Sequence, residues 1–182
     1  MAPDERCIEY QVVPEQSQVG FSVKHLMISR VKGRFERFTG MFRLNLSDPS
    51  RSECSGTVEV VSISTSDRAR DEYLHTNEFF DPKRFPEIHF RSSRVELMPG
   101  DRAWIRGTLE IKDVSRPVEL EAEGLREIFG GSGRIPEHFE VHARGKIDRR
   151  EFGLVWPPAI EAGGVLVGNE VEISLKFHLV KK

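Results

Sequence analysis

The sequence predicts an all-β protein whose antiparallel strands curl into a barrel, and three observations carry that prediction. Apolar and polar residues alternate with a period of two through most of the 182 residues. That is the signature of strands with one dry face and one wet face. Several runs reach about ten residues, and strands of that length favour a curled or closed sheet, because closure removes the exposed edges. One segment alone breaks to a helical spacing. The length fits one domain over residues 1–182.

The alternation is explicit along the chain. Val19, Phe21, Val23 and His25 share one face, against Gln18, Gly20, Ser22 and Lys24. Val31, Gly33 and Phe35 oppose Lys32, Arg34 and Glu36, and Phe42, Leu44 and Leu46 oppose Arg43 and Asn45. The segment from Thr65 to Asn77 then changes period. Ser66 or Asp67 serves as the N-cap, Ala69, Tyr73 and Leu74 recur at helical spacing, and Pro82 lies past the end. Strand periodicity resumes with Ile88 and Phe90 around His89, then with Ile105, Gly107, Leu109 and Ile111. It continues in Val118, Leu120 and Ala122 against Glu119, Glu121 and Glu123. Phe139, Val141, Ala143 and Ile147 follow, and then Val171, Ile173, Leu175, Phe177 and Leu179. Every run is half polar, which excludes a parallel sheet covered by helices on both faces. Glycines within these runs, such as Gly33, Gly107 and Gly145, are read as bends where the sheet curves. Gly130-Gly131-Ser132-Gly133 reads as a turn, and residues 156–164 are too rich in Pro and Gly for a strand.

Composition narrows the function. The net charge of −2 gives no electrostatic footprint for nucleic acid. Cys7 and Cys54 have neither metal-type nor redox-type spacing, and two free thiols are the simpler reading. His138 and His142 would suit a metal on a helix, but on a strand they stand about 13 Å apart, so solvent-facing histidine is favoured. Arg149-Arg150 reads as a solvated basic pair. No nucleophile elbow or phosphate loop occurs. No catalytic, metal or cofactor site is therefore predicted. The first residues lack a signal-peptide pattern and no run is long enough to span a bilayer, so a cytoplasmic protein without stable membrane insertion is expected. Twelve Phe suit an apolar cavity wall or an ordinary core.

The motifs go further. Val19-Gly20-Phe21-Ser22-Val23-Lys24-His25-Leu26, Val31-Lys32-Gly33-Arg34-Phe35 and Phe38-Thr39-Gly40 are followed by Ser62-Ile63-Ser64-Thr65, Arg70-Asp71 and Phe79-Phe80-Asp81. Phe85-Pro86, Ile147-Asp148-Arg149, Phe152-Gly153-Leu154, Trp156 and Gly163-Gly164-Val165-Leu166-Val167-Gly168 complete the series. In this order and spacing, from Tyr10 to Val180, the chain resembles the YceI family. Pro157-Pro158 departs from the Asn that often follows the family's Trp.

The resemblance implies an extended lipocalin-like antiparallel β-barrel of about eight strands with one short inserted helix. It also implies binding of a long polyisoprenoid or similar amphiphilic lipid inside the barrel, without catalysis. Members are often periplasmic, and homodimers occur. On this reading the inward Phe21, Val23, Phe35, Phe42, Val58, Val60, Phe90, Leu109, Leu120, Val141, Ile173 and Leu175 line the tail cavity. Leu74, Phe79 and Phe80 close one end through the helix, and His25, Arg34, Arg70 and Asn77 are head-group candidates. Two other readings stay open. One is an enzyme acting on an isoprenoid or quinone-like substrate, which expects a strongly perturbed titratable group in the cavity. The other is a filled barrel acting through its surface as an interaction or stress module.

Overall fold

The computed structural model describes residues 6–25, 29–131, 133–157 and 167–182. The candidate motif residues Leu26, Pro158 and Gly163 to Leu166, and Ser132 of the glycine turn, lie outside the described residues.

Among the described residues, eleven strands form one sheet. In chain order they are β1 (Cys7–Val12), β2 (Gln18–His25), β3 (Ser29–Phe35), β4 (Phe38–Asn45), β5 (Glu53–Glu59) and β6 (Ile63–Ser64). A helix, α1 (Arg68–Leu74), precedes β7 (Glu87–Met98), β8 (Arg102–Ile111) and β9 (Val114–Glu123). A one-turn helix, α2 (Arg126–Phe129), leads to β10 (His138–Asp148) and β11 (Val167–Lys181). The eight strands β1-β4-β5-β7-β8-β9-β10-β11 pair in that order, and β11 pairs back with β1 through Val12 and Leu179, so the ring closes.

β11 is long enough to do two things. Its last residues pair with β1, and its residues from Val167 to Lys176 pair with β2. β1 and β2 follow one another along the same edge, separated by a 3-10 turn at Pro14–Gln16. The β2–β3 hairpin and the short β6 therefore extend the wall beyond the closed ring. α1 and the segment after it cover the side between β6 and β7. Asp67 caps α1 by accepting from the Arg70 backbone N–H at 3.0 Å. Asp71 accepts from both the Thr65 backbone and its hydroxyl, which ties the helix to the strand before it.

Two apolar clusters hold the barrel. One fills the ring end around Tyr10, Val95, Ala103, Ala122, Phe139 and Leu179. Tyr10 and Phe139 meet edge to face at 4.8 Å, and the Tyr10 hydroxyl donates to the Pro136 carbonyl at 2.8 Å, so burial leaves no unpaired phenol. The other cluster joins Val60, Ile63, Leu74, Phe79, Phe80, Phe152 and Leu154 beneath α1. Both cysteines are free thiols.

Three expectations need correction. Arg149 is not solvated: it is 4 % exposed, and its guanidinium donates to the carbonyls of Gly168, Leu154 and Val167 at 3.0, 2.6 and 3.3 Å. Asn45 is buried instead of lying on the wet face. Its side-chain oxygen accepts from the Ser47 and Asp48 backbones and closes the turn after β4. Gly33 and Gly145 are not simply bends. The Phe21 ring lies across Gly33 directly opposite, and Leu120 lies across Gly145, leaving no room for a β-carbon at either position.

Candidate functional site: an apolar cavity

Between the two clusters the barrel holds a cavity of about 610 Å³, inside the range of roughly 300–1,000 Å³ typical of small-molecule sites. Its existence follows from what points inward. The inward positions of β4 and β5 include Gly40 and Gly56, which are opposite each other in register. Val12 fills the space over Gly40, whereas a β-carbon on Gly56 would meet nothing but the Thr39 carbonyl, at 3.2 Å. Around this gap Phe21, Phe35, Phe90, Leu109, Ile173 and Leu175 face inward by strand parity yet are only partly buried. Each packs at its flank against one of the two clusters or a neighbouring wall residue and also borders the open volume.

The predicted wall residues can be placed one by one. Phe21 and Val23 of β2, Phe35 of β3, Phe42 of β4 and Val58 of β5 line the cavity. So do Phe90 of β7, Leu109 of β8, Leu120 of β9, Val141 of β10, and Ile173 and Leu175 of β11. Leu74 from α1, with Phe79 and Phe80 from the chain after it, lines the helix end. Phe80 reaches Phe35 at a ring separation of 6.5 Å, so the helix exit and the hairpin extension meet over the cavity. Lys112, in the β8–β9 turn, donates to the Phe79 carbonyl at 2.6 Å and pins that exit.

Val60 does not line the cavity. It sits 1 % exposed in the second cluster, because the chain leaves strand geometry for a 3-10 turn at Val60–Ser62 and the period-two count stops applying. Of the head-group candidates, His25 and Arg70 are on the cavity wall. Arg34 is on the outer face of β3, paired with Glu36 at 3.0 Å, and Asn77 is exposed beyond the helix. Neither of these two reaches the cavity.

Trp156 and Arg149, named among the family motifs but not expected on the wall, also border the cavity. Both follow β10 in a stretch without periodicity, so alternation carried no signal for either.

The wall is electrostatically quiet. Arg149 spends its fork on the three carbonyls above. Arg70 donates to the Thr65 hydroxyl at 2.8 Å and carbonyl at 3.0 Å, and lies 3.8 Å from Asp67. Burial pushes the Cys54 thiol up to about 11, against a smaller opposing effect of the Ser92 hydroxyl. Burial, with the nearby Glu78 carboxylate, also raises the Tyr73 phenol. Both shifts keep these wall groups protonated and neutral. A reactive thiol needs the opposite shift. Among the described residues, no group of three His, Cys, Asp or Glu is arranged to hold a metal ion. None of the described helices is long and apolar enough to cross a membrane.

Comparison with known proteins agrees with this geometry. The YceI-like domain matches residues 10–179. A UPF0312 protein of Staphylococcus aureus (strain USA300) is 30% identical over 169 residues, covering 90% of this chain and 93% of the relative. Among solved structures, Burkholderia cenocepacia BcnA superposes with a TM-score of 0.77 at 22% identity, over 94% of this chain and 99% of that one. A Campylobacter jejuni YCEI protein gives 0.65 at 23% identity, over 87% and 89%. A polyisoprenoid binding domain from Saccharophagus degradans, implicated in plant cell wall breakdown, gives 0.67 at 12% identity, over 96% and 99%. At these identities the structural matches speak to the fold.

Proposed function

We propose a function from a fixed premise: this chain belongs to the YceI-like domain family. It binds a long apolar or amphiphilic chain of the polyisoprenoid class inside the barrel and carries or stores it, without transforming it. The observation that carries this reading is the apolar cavity of about 610 Å³ between two packed clusters. A filled barrel working through its surface would have closed that space. The polyisoprenoid binding domain that shares the fold supports the ligand class.

The energetics suit a tail binder. Each five-carbon isoprene unit moved from water into a dry cavity contributes roughly 3–4 kcal/mol. Eight such units would exceed the ceiling of roughly 18–21 kcal/mol for non-covalent affinity. Tail ordering and the competing micelle or membrane therefore offset much of the gain. The tail supplies the affinity, and the wall shape selects its length. The enzyme reading draws no support from the wall, where the two perturbed groups, Cys54 and Tyr73, are both held neutral by burial.

The test is to purify the protein gently from its host, extract it with organic solvent and identify the extract by mass spectrometry. The proposal expects a stoichiometric polyprenyl, quinone or fatty-acyl species. An extract with no such species, even after incubation with host lipids, would overturn it in favour of a surface-acting barrel.

A further inference from the structure

The two ends of the cavity differ. Asp67, the cap of α1, and Ala69 in its first turn line the cavity and are exposed to solvent. His25 and Val167, opposite each other on β2 and β11, line the wall on the hairpin side. The mouth is therefore beside the start of α1.

The ring end is closed. On β8 the cavity reaches Ile105 and stops short of Ala103, and on β9 it reaches Leu120 and stops short of Ala122. On β10 it reaches Val141 but not Phe139, and on β11 it reaches Phe177 but not Leu179. In each strand these are consecutive residues of the inner face. The four that it does not reach are 3 % exposed or less. Four adjacent strands thus seal one end, and among the described residues the cavity is a blind slot. Phe42 and Phe177 stand at the bottom of it, edge to face at 6.2 Å. Tyr10, opposite Phe42 in register, is fully buried and belongs to the packing below.

A blind slot measures what enters it. Apolar carbons gain only where they leave water, so a tail gains per unit until the slot is full and then stops gaining. A methylene-sized group takes about the room of one liquid water, roughly 30 Å³, so a slot of about 610 Å³ holds about twenty of them. That is about four five-carbon units.

We propose that the Phe42–Phe177 pair is the floor of this slot and limits the buried tail to about four isoprene units, with the polar head and any further units at the mouth beside α1. This deepens the binding reading above and rests on it.

The test titrates geranyl, farnesyl, geranylgeranyl and geranylfarnesyl diphosphate, a series of two to five units with one head, each below its aggregation concentration. Each displaces N-phenyl-1-naphthylamine, a fluorescent apolar dye, from the intact protein. Every unit up to the fourth is expected to tighten binding at least tenfold, and the fifth less than threefold. A fifth unit that again gains tenfold, or equal affinity across the series, would overturn the proposal and leave the binding reading intact. Displacement by none of the four overturns the binding reading itself. Phe177→Ala removes six ring carbons from the floor, close to one isoprene unit, and should move the break from the fourth unit to the fifth. Phe177 is only partly buried, so its truncation is milder than that of Phe42. A Phe177→Ala protein that melts cooperatively yet still breaks at the fourth unit would overturn the floor assignment. If that variant does not fold, the wild-type series decides alone.

Discussion

A leucine at position 56 should narrow the cavity without disturbing the fold. Gly56 faces inward between Cys54 and Val58, its backbone angles are open to any residue, and a β-carbon there meets only the Thr39 carbonyl at 3.2 Å. That contact must relax by a few tenths of an ångström, after which the four side-chain carbons enter space now empty. They would displace about four tail carbons, and at about 0.8 kcal/mol per methylene-sized group the ligand forfeits roughly 3 kcal/mol, or about 200-fold in affinity. The protein itself should not lose stability, since the new side chain gains apolar contact in the gap. Two measurements decide it: titration of a long-chain apolar ligand by dye displacement, and thermal unfolding of the empty protein. A folded Gly56→Leu protein that binds the ligand as tightly as the wild type would refute the placement of the tail beside β5.

Three further outcomes follow from named contacts. Cys54 keeps its proton to about pH 11 when folded, against an ordinary value of 9.0. The unfolded chain thus releases the proton first, and the stability present below pH 9 drains away as pH climbs towards 11, by roughly 2–3 kcal/mol. Urea unfolding at about pH 8 and about pH 11 should show this alkaline loss in the wild type and a smaller one in Cys54→Ala; equal losses would count against it. Arg149→Met orphans the carbonyls of Leu154, Val167 and Gly168, and at about 1–3 kcal/mol per orphaned group it should cost roughly 3 kcal/mol or more in denaturant unfolding. Arg149→Lys, with a single ammonium for three acceptors, should recover only part of that. Asp67→Ala removes the cap of α1 and should cost about 1 kcal/mol, because the Arg70 backbone N–H loses its acceptor. A wild-type melting curve for that variant would mean that the tie between Asp71 and Thr65 holds the helix alone.

Some of this site was legible along the chain, for a local reason. In a strand the side chain's face is fixed by counting, so Phe21, Phe90, Leu109, Ile173 and Leu175 could be assigned to the inner wall before any fold was known. The same counting failed where the backbone left strand geometry. Val60 fell into a 3-10 turn and became core, and Arg149 and Trp156 gave no periodic signal. β1 gave no run, and of β5 only Val58 was placed: its other inward positions include Cys54 and Gly56, too small to mark a face.

The sequence by itself determined an antiparallel barrel, a capped helix within residues 65–77 and the identity of most inward side chains. Only the tertiary structure decided that the space among them is open. A cavity is the difference between the width of a closed ring and the summed volume of what points into it. That difference depends on register between strands far apart in the chain, such as Gly40 against Gly56 and Phe21 over Gly33. No count along a single strand contains it.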